Sequence, residues 1–315
     1  MGNSSQVAEF ILTGLTDDPQ LQLILFVIFF TLYAITLLGN VSMIVLFRIS
    51  PKLHTPMYFF LSHVSFVDIC SASTITPKFL SHLVKEKKVI SFAGCFTQIY
   101  FYGVFATAEC FLLAIMAYDR YVAICHPLLY LVIMSQLKCV RLVVVSYVTG
   151  VLHGLLHIIP ATQLFFCGPN IIKNFVCDGP ALLQLACSDV SFNNLLKFIF
   201  IGFTLIATMV IVLTSYIYIL IAIFKMDSAK SQKKAFSTCT SHLTVITIFY
   251  GCAGFVYAQS QPTKSIYINQ IASVLYLVVT PMINPLIYSL RNQEVKVAFR
   301  KILGGKNCVI FYTKN

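Results

Sequence analysis

Two acids in this chain stand among apolar residues. Asp68 and Glu109 each lie inside a long hydrophobic run, where a charge is strongly disfavoured unless paired, so an acid there marks function by default. A third acid, Asp119, stands beside Arg120 in "MAYDRYVAIC", at the end of such a run. There a guanidinium can bond its neighbour, water or an inserted partner, or it can simply extend to the water boundary. His153 and His157, in "HGLLH", have the i, i+4 spacing of a helical metal pair. No glutamate follows the first histidine and no third ligand is near, so packing or hydrogen bonding is the better reading. Nothing pairs a nucleophile with a base, so no enzymatic constellation is expected.

These groups need elements to position them. The chain has 315 residues, 58% of them hydrophobic and 10% charged, with a mean hydropathy of +0.85, far outside soluble composition. A helix crosses ~30 Å of hydrocarbon in about 20 apolar residues. Seven such windows occur, at 23–47, 57–80, 94–118, 142–164, 198–224, 235–258 and 265–290. Spans one, five, six and seven contain no Asp, Glu, Lys or Arg; span two holds Asp68 and Lys78, and span three holds Glu109. The expected fold is an all-α membrane protein, a seven-transmembrane helix bundle in one domain. Residues 1–22 form a first tail, 23–290 the bundle and 291–315 a second tail. Asn292 to Gly304 carries Val295, Ala298, Phe299 and Ile302 between Lys296, Arg300 and Lys301, the pattern of an amphipathic helix at the interface. Neither charge running through the membrane interior nor paired broken half-helices is visible, which argues against a channel or transporter.

Basic residues near span ends are retained in the cytoplasm. Of 22 Lys and Arg, 15 fall on one side: Arg48, Lys52, Arg120, Lys138, Arg141, Lys225, Lys230, Lys233, Lys234 and six from Arg291 to Lys314. The first tail has Glu9, Asp17 and Asp18 and no base. The N-terminus is therefore expected outside and the C-terminus in the cytoplasm, with the run Lys85–Lys88 as an exception in the first outside loop. The net charge of +11 then faces anionic lipid and a cytoplasmic partner, with no sign of nucleic-acid binding. No cleaved leader is expected before span one. Asn3, in Asn3-Ser4-Ser5, becomes an N-glycosylation acceptor, whereas Asn40-Val41-Ser42 lies within span one and is expected unmodified. Cys95, Cys167, Cys177 and Cys187 sit at the outside level; four cysteines allow two disulfides and three pairings. Cys308, beside Arg300–Lys306, is a palmitoylation candidate.

Helical rise gives the depth of the buried polar groups. Asp68 lies about 18 Å and Glu109 about 16 Å from the cytoplasmic face, and Asn40 and Asn284 about 10–12 Å from it. Four polar groups thus share one band. They either bond separately within their own helix pairs or form a shared water or cation cluster, and the second is favoured because two acids at one depth must lose charge or share a counter-ion.

The ligand follows from absences. Span three has no acid between Cys95 and Glu109, and the outer halves of spans five to seven are uncharged, so no carboxylate waits for an amine. A neutral or weakly polar small molecule is favoured, caged by apolar and aromatic side chains with a few hydroxyls.

Several strings then carry a resemblance: "GN" at Gly39-Asn40, "LHTPMYFFLS" at Leu53–Ser62, "MAYDRYVAIC", "SY" at Ser215-Tyr216, "KAFSTCTSHL" at Lys234–Leu243, "FYG" at Phe249–Gly251 and "PMINPLIYSLRN" at Pro281–Asn292. In this order, each at the appropriate span and face, the chain resembles rhodopsin-like G-protein-coupled receptors and, among them, the odorant receptors of the tetrapod-type class. The resemblance implies a plasma-membrane receptor that binds a small odorant and activates a stimulatory, olfactory-type heterotrimeric G protein, raising cyclic AMP. It implies that Arg120 with Asp119, Tyr216 and Tyr288 form the switch that opens a crevice for the G protein, with Pro285 and Gly251 supplying backbone irregularity. The positions matching Asp68, Asn40 and Asn284 imply a sodium and water pocket, so Na⁺ or a shared proton is expected at Asp68 and Glu109. The ligand pocket it implies comprises Tyr102, Gly103, Ala106, Thr107 and Cys110 on span three, Ile201, Thr204 and Leu205 on span five, and Tyr250, Ala253, Gly254, Tyr257 and Leu277 on spans six and seven. It also implies disulfides Cys95–Cys177 and Cys167–Cys187, with Cys95–Cys187 as the alternative.

Overall fold

The structure, a computed structural model, describes residues 7–258, 270–271, 273–291 and 295–299. Helix α1 (Pro19–Ile49) starts where Asp18 caps it, its carboxylate accepting from the backbone N–H groups of Gln20 and Leu21, with Pro19 at the first helical position. Its 31 residues reach about 46 Å at helical rise, more than the hydrocarbon thickness. Helix α2 (Pro56–Val84) also opens on a proline, and Ser91 caps α3 (Phe92–Cys125) through the Gly94 N–H. Helix α4 spans Gln136–Thr162, α5 Ser191–Phe224 and α6 Ala229–Ala258. Helix α7 comprises Leu275–Val279 and Thr280–Arg291.

Among the described residues, α1 to α5 are each long and apolar enough to cross a membrane, and Cys239–Phe255 in α6 and Leu275–Ile287 in α7 are shorter apolar helices. Central α3 packs against α2, α4 and α5, burying Phe60, Val64, Leu112, Leu113 and Met116 in one core. Phe30, Leu38 and Val41 of α1 remain exposed, as lipid-facing side chains must be.

Close approach of α4 to α3 depends on glycine. A Cβ at Gly150 would lie 2.5 Å from the Val104 carbonyl oxygen, and one at Gly154 2.9 Å from the Tyr100 ring. Small residues four apart on one helix face thus let the two backbones meet.

A small sheet that the sequence reading did not contain closes one end of the bundle. Strand β1 (Glu9–Leu12) pairs antiparallel with β2 (Val89–Ser91), Phe10 opposite Ile90, and parallel with β3 (Ile171–Ile172). Phe10 is fully buried against Phe92 and Phe166. Lys88, from the basic run opposing the charge rule, bonds Asp17 at 2.7 Å and the Thr16 carbonyl at 2.9 Å. Strands of two to four residues carry too short an alternation to stand out beside apolar spans.

Two further departures concern helix regularity. Gly251 introduces no break, since α6 is continuous through it. The irregular turns are π-helical instead, at Lys197–Ile201 in α5 and Leu275–Val279 in α7. Beyond α7, residues 295–299 are helical; Val295 is buried and Ala298 packs on the main core. The remainder of Asn292–Gly304, Cys308 and Asn3 lie outside the described residues.

Candidate functional site

A cavity of about 290 Å³ lies at the sheet end of the bundle, between α3, α4, α5 and α7 and beneath the loop that joins α4 to α5. Disulfides hold that loop: Cys95 at the start of α3 is bonded to Cys177, and Cys167 to Cys187. Gln98 adds a second tie, its Oε1 accepting the Cys177 N–H at 3.0 Å while its Nε2 donates to the Thr74 carbonyl at 3.1 Å. Asn174 Nδ2 donates to Ser273 Oγ, two residues before α7, at 3.4 Å.

Tyr102, Gly103, Ala106, Thr107, Cys110, Ile201, Thr204, Leu205, Ala253 and Leu277 line this cavity. Three residues of the expected set do not appear there. Tyr250 lies one turn deeper than Ala253 and is buried, its hydroxyl donating to the Cys110 carbonyl at 3.4 Å, so it supports the floor. Gly254 is exposed on α6, turned about 100° round the helix from Ala253, which lines the cavity. The Tyr257 side chain lies outside the described residues.

The cavity also takes residues that hydropathy and resemblance omitted. His153, His157, Asp178, Asn193 and Lys197 all line it, which corrects the expectation of an uncharged pocket. Lys197 immediately precedes the fifth apolar window, and Asp178 sits in the loop, so a search within spans misses both. Hydropathy marks where a helix enters the membrane, not what the loop folds back. His153 Nδ1 lies 3.1 Å from Thr107 Oγ1, and the two histidine rings meet edge to face at 4.6 Å. Asp178 accepts from the Ala181 N–H at 3.2 Å and from Asn174 Nδ2 at 3.4 Å. Burial pushes its carboxyl up to about 6, opposed by those hydrogen bonds and by Lys197. The π turns at Lys197–Ile201 and Leu275–Val279 both fall in the cavity wall, where a changed helical phase re-aims side chains.

Below the cavity, three of the four polar groups expected at one depth come together. Asn284 Nδ2 donates to Asp68 Oδ1 and Oδ2 at 3.1 and 3.0 Å and to Glu109 Oε1 at 3.5 Å, and all three residues are buried. Asn40 does not join through a direct hydrogen bond. Its Nδ2 donates to the Thr36 and Pro281 carbonyls, both at 3.0 Å, and its Oδ1 has no hydrogen-bond partner among the described residues. A small gap lined by Ser71, Tyr102, Glu109 and Tyr276 lies between cavity and acids. Carboxylate oxygens are the donors a small hard cation or a shared proton takes.

At the opposite end, Asp119 is fully buried, and its Oδ1 accepts the Tyr130 hydroxyl at 2.8 Å. Its Oδ2 has no hydrogen-bond partner among the described residues, so the bond to Arg120 that the sequence allowed is not made through that oxygen. Tyr216 is buried, its hydroxyl 2.5 Å from His242 Nδ1. His242 belongs to the "KAFSTCTSHL" string but was given no role; a polar residue inside span six was the signal for it. The Tyr288 side chain lies outside the described residues.

A family model described as Olfactory receptor matches residues 29–306. Olfactory receptor 8U3 of Mus musculus is 51% identical over 301 residues, 96% of this chain and 94% of that one. Olfactory receptor 5G3 of Homo sapiens is 50% identical over 308 residues, 98% of each. Among solved structures, squid rhodopsin superposes with a TM-score of 0.72 at 18% identity, covering 91% of this chain and 86% of that one, a likeness of fold. The helix bundle, the covered cavity at one end and the Asp119–Arg120 pair at the other thus stand together with a match over nearly the full length: the chain belongs to the olfactory receptor family.

Proposed function

We propose that this receptor binds a small, largely apolar odorant in the loop-covered cavity and activates a stimulatory, olfactory-type heterotrimeric G protein from the Arg120 end, raising cyclic AMP. The observation that carries this reading is the separation of two sites along one bundle. One is a loop-covered cavity mostly lined by apolar groups, of a size that suits a small molecule. The other holds Arg120 and Asp119 near the end of α3, with Tyr130 bonded to Asp119 and Tyr216 of α5 bonded to His242 of α6. Coupling between them is a shift between two helix packings, biased by odorant at one end and by G protein at the other.

In the plasma membrane the cavity end and the N-terminal segment face outside, and the Arg120 end and C-terminus face the cytoplasm. Support comes from the 15 basic residues on the Arg120 side and from disulfides, which persist in oxidising compartments. Asp68 and Glu109 would hold Na⁺ or a shared proton, since two buried acids bound to one amide need a positive charge between them. The group would supply that charge, and Asn284 orients both carboxyls towards it.

The test is heterologous expression with a cyclic AMP reporter and an odorant panel. An odorant-dependent rise is expected. Normal surface expression with no response to any volatile, or an ion current without G protein, would reject the reading.

A further inference from the structure

We propose that this cavity selects odorants by a carbonyl-type oxygen, as in an aldehyde, ketone or carboxylate, held by His157 and Lys197. The inference rests on the cavity being the odorant site and names the chemistry that site takes.

Polar groups are unevenly placed around the cavity. The ionisable groups His153, His157, Asp178 and Lys197 come from α4, α5 and the covering loop, whereas Ile75, Ala253, Ser273, Tyr276 and Leu277 line the side of α2, α6 and α7. A ligand therefore meets ionisable groups on one side and apolar groups with two hydroxyls on the other. It should be a chain with a polar head.

The ionisable side offers donors more readily than acceptors. An ammonium carries three donors and no acceptor, and Lys197 presents one from a π turn in the wall. His157 lines the same wall, and its Nε2 is buried without a hydrogen-bond partner among the described residues. With the proton on that nitrogen it donates. Among the described residues Asp178 is the one carboxylate lining the cavity, and its oxygens accept from Ala181 and Asn174. An amine would have to compete with Lys197, whose charge already faces that carboxylate. A carbonyl or carboxylate oxygen would meet donors on two elements at once.

The experiment uses aldehydes, carboxylic acids, amines and alkanes of matched length, roughly six to ten carbons to suit a small cavity, on the full-length receptor. Thermal stabilisation of the solubilised receptor reports binding, and cyclic AMP in cells reports coupling. The best aldehyde or acid should act at about tenfold lower concentration than the amine of equal length, a difference of ~1.4 kcal/mol. Lys197→Met and His157→Phe should each remove about that tenfold advantage at unchanged surface level, and Lys197→Arg, which keeps the donors, should restore most of it. If Lys197→Met fails to fold, His157→Phe, which removes the donor, compared with His157→Gln, which keeps one, carries the comparison. Stabilisation by carbonyl compounds without cyclic AMP would uphold this inference and reject the coupling. Cyclic AMP responses with amines or alkanes equal to carbonyl compounds, or with both substitutions silent, would overturn the inference alone. Failure of every compound to stabilise the receptor would also overturn it.

Discussion

The Tyr216 hydroxyl lies 2.5 Å from His242 Nδ1, a buried bond that ties α5 to α6 near the Arg120 end. If the G protein enters between these helices, as proposed, the bond has to break and holds the bundle closed until then. One neutral hydrogen bond is worth about 1 kcal/mol net, which shifts a two-state equilibrium roughly fivefold. His242→Phe should raise basal cyclic AMP by about that factor without odorant, normalised to surface receptor. Unchanged or lowered basal signalling would count against a closing role.

Arg120 and Asp119 are adjacent yet differently engaged. Asp119 is held by Tyr130 at 2.8 Å, and Arg120 stands partly exposed where a partner can reach it. Arg120→Ala should abolish cyclic AMP signalling while ligand-induced thermal stabilisation survives. Tyr130→Phe leaves Asp119 buried without its donor and should lower stability by about 1–3 kcal/mol. Loss of odorant binding in Arg120→Ala would show that the residue matters to folding instead.

Glu109 is the second acid on Asn284. Glu109→Gln removes one carboxyl but keeps its size, so a site needing two acids loses its cation or shared proton. Any sodium effect on agonist potency, expected at about fivefold or more in a coupled site, should disappear. If surface expression and sodium dependence were both unchanged, the acids would have no such role.

Gly150 sets the distance between α3 and α4, because a Cβ there would sit 2.5 Å from the Val104 carbonyl oxygen. Gly150→Ala should destabilise the receptor by about 1–3 kcal/mol or more and lower surface expression. It should also part His153 from Thr107 and weaken ligand response in whatever receptor reaches the surface. Wild-type expression and potency would show that the helices have room.

Asp178 gives a pH dependence outside the membrane. Its carboxyl is raised by burial from an ordinary 3.8 to about 6, so between those values the folded receptor binds more protons than the unfolded chain. Stability should therefore fall as pH rises through that window and level off above it, by about 1–3 kcal/mol in total. Melting curves between pH 4 and 7 should show this trend, and Asp178→Asn should flatten its share. The same slope in both proteins would assign it to other groups.

Much of this architecture is legible from axial position alone. Seven apolar windows, the band holding Asp68, Glu109 and Asn284, and the terminal placement of Asp119 and Arg120 all follow from a fixed helical rise and the cost of polar groups in hydrocarbon. Both terms are local, summed residue by residue, so no knowledge of neighbours is needed. The family strings add which spans share a role.

What only the tertiary structure decided is azimuth and closure. Asn284 bonds both acids whereas Asn40 turns to Pro281; Ala253 faces the cavity and Gly254 does not; Tyr216 meets His242. Cys95 takes Cys177 out of three allowed pairings, and the loop it fastens brings Asp178 to the same cavity as Lys197. Rise along a helix is fixed by backbone geometry, but rotation about its axis and the path of a loop are set by neighbours, here by Gly150 against Val104, by two π turns and by a disulfide. The amino-acid sequence by itself determined how deep each functional group lies; packing determined which groups meet.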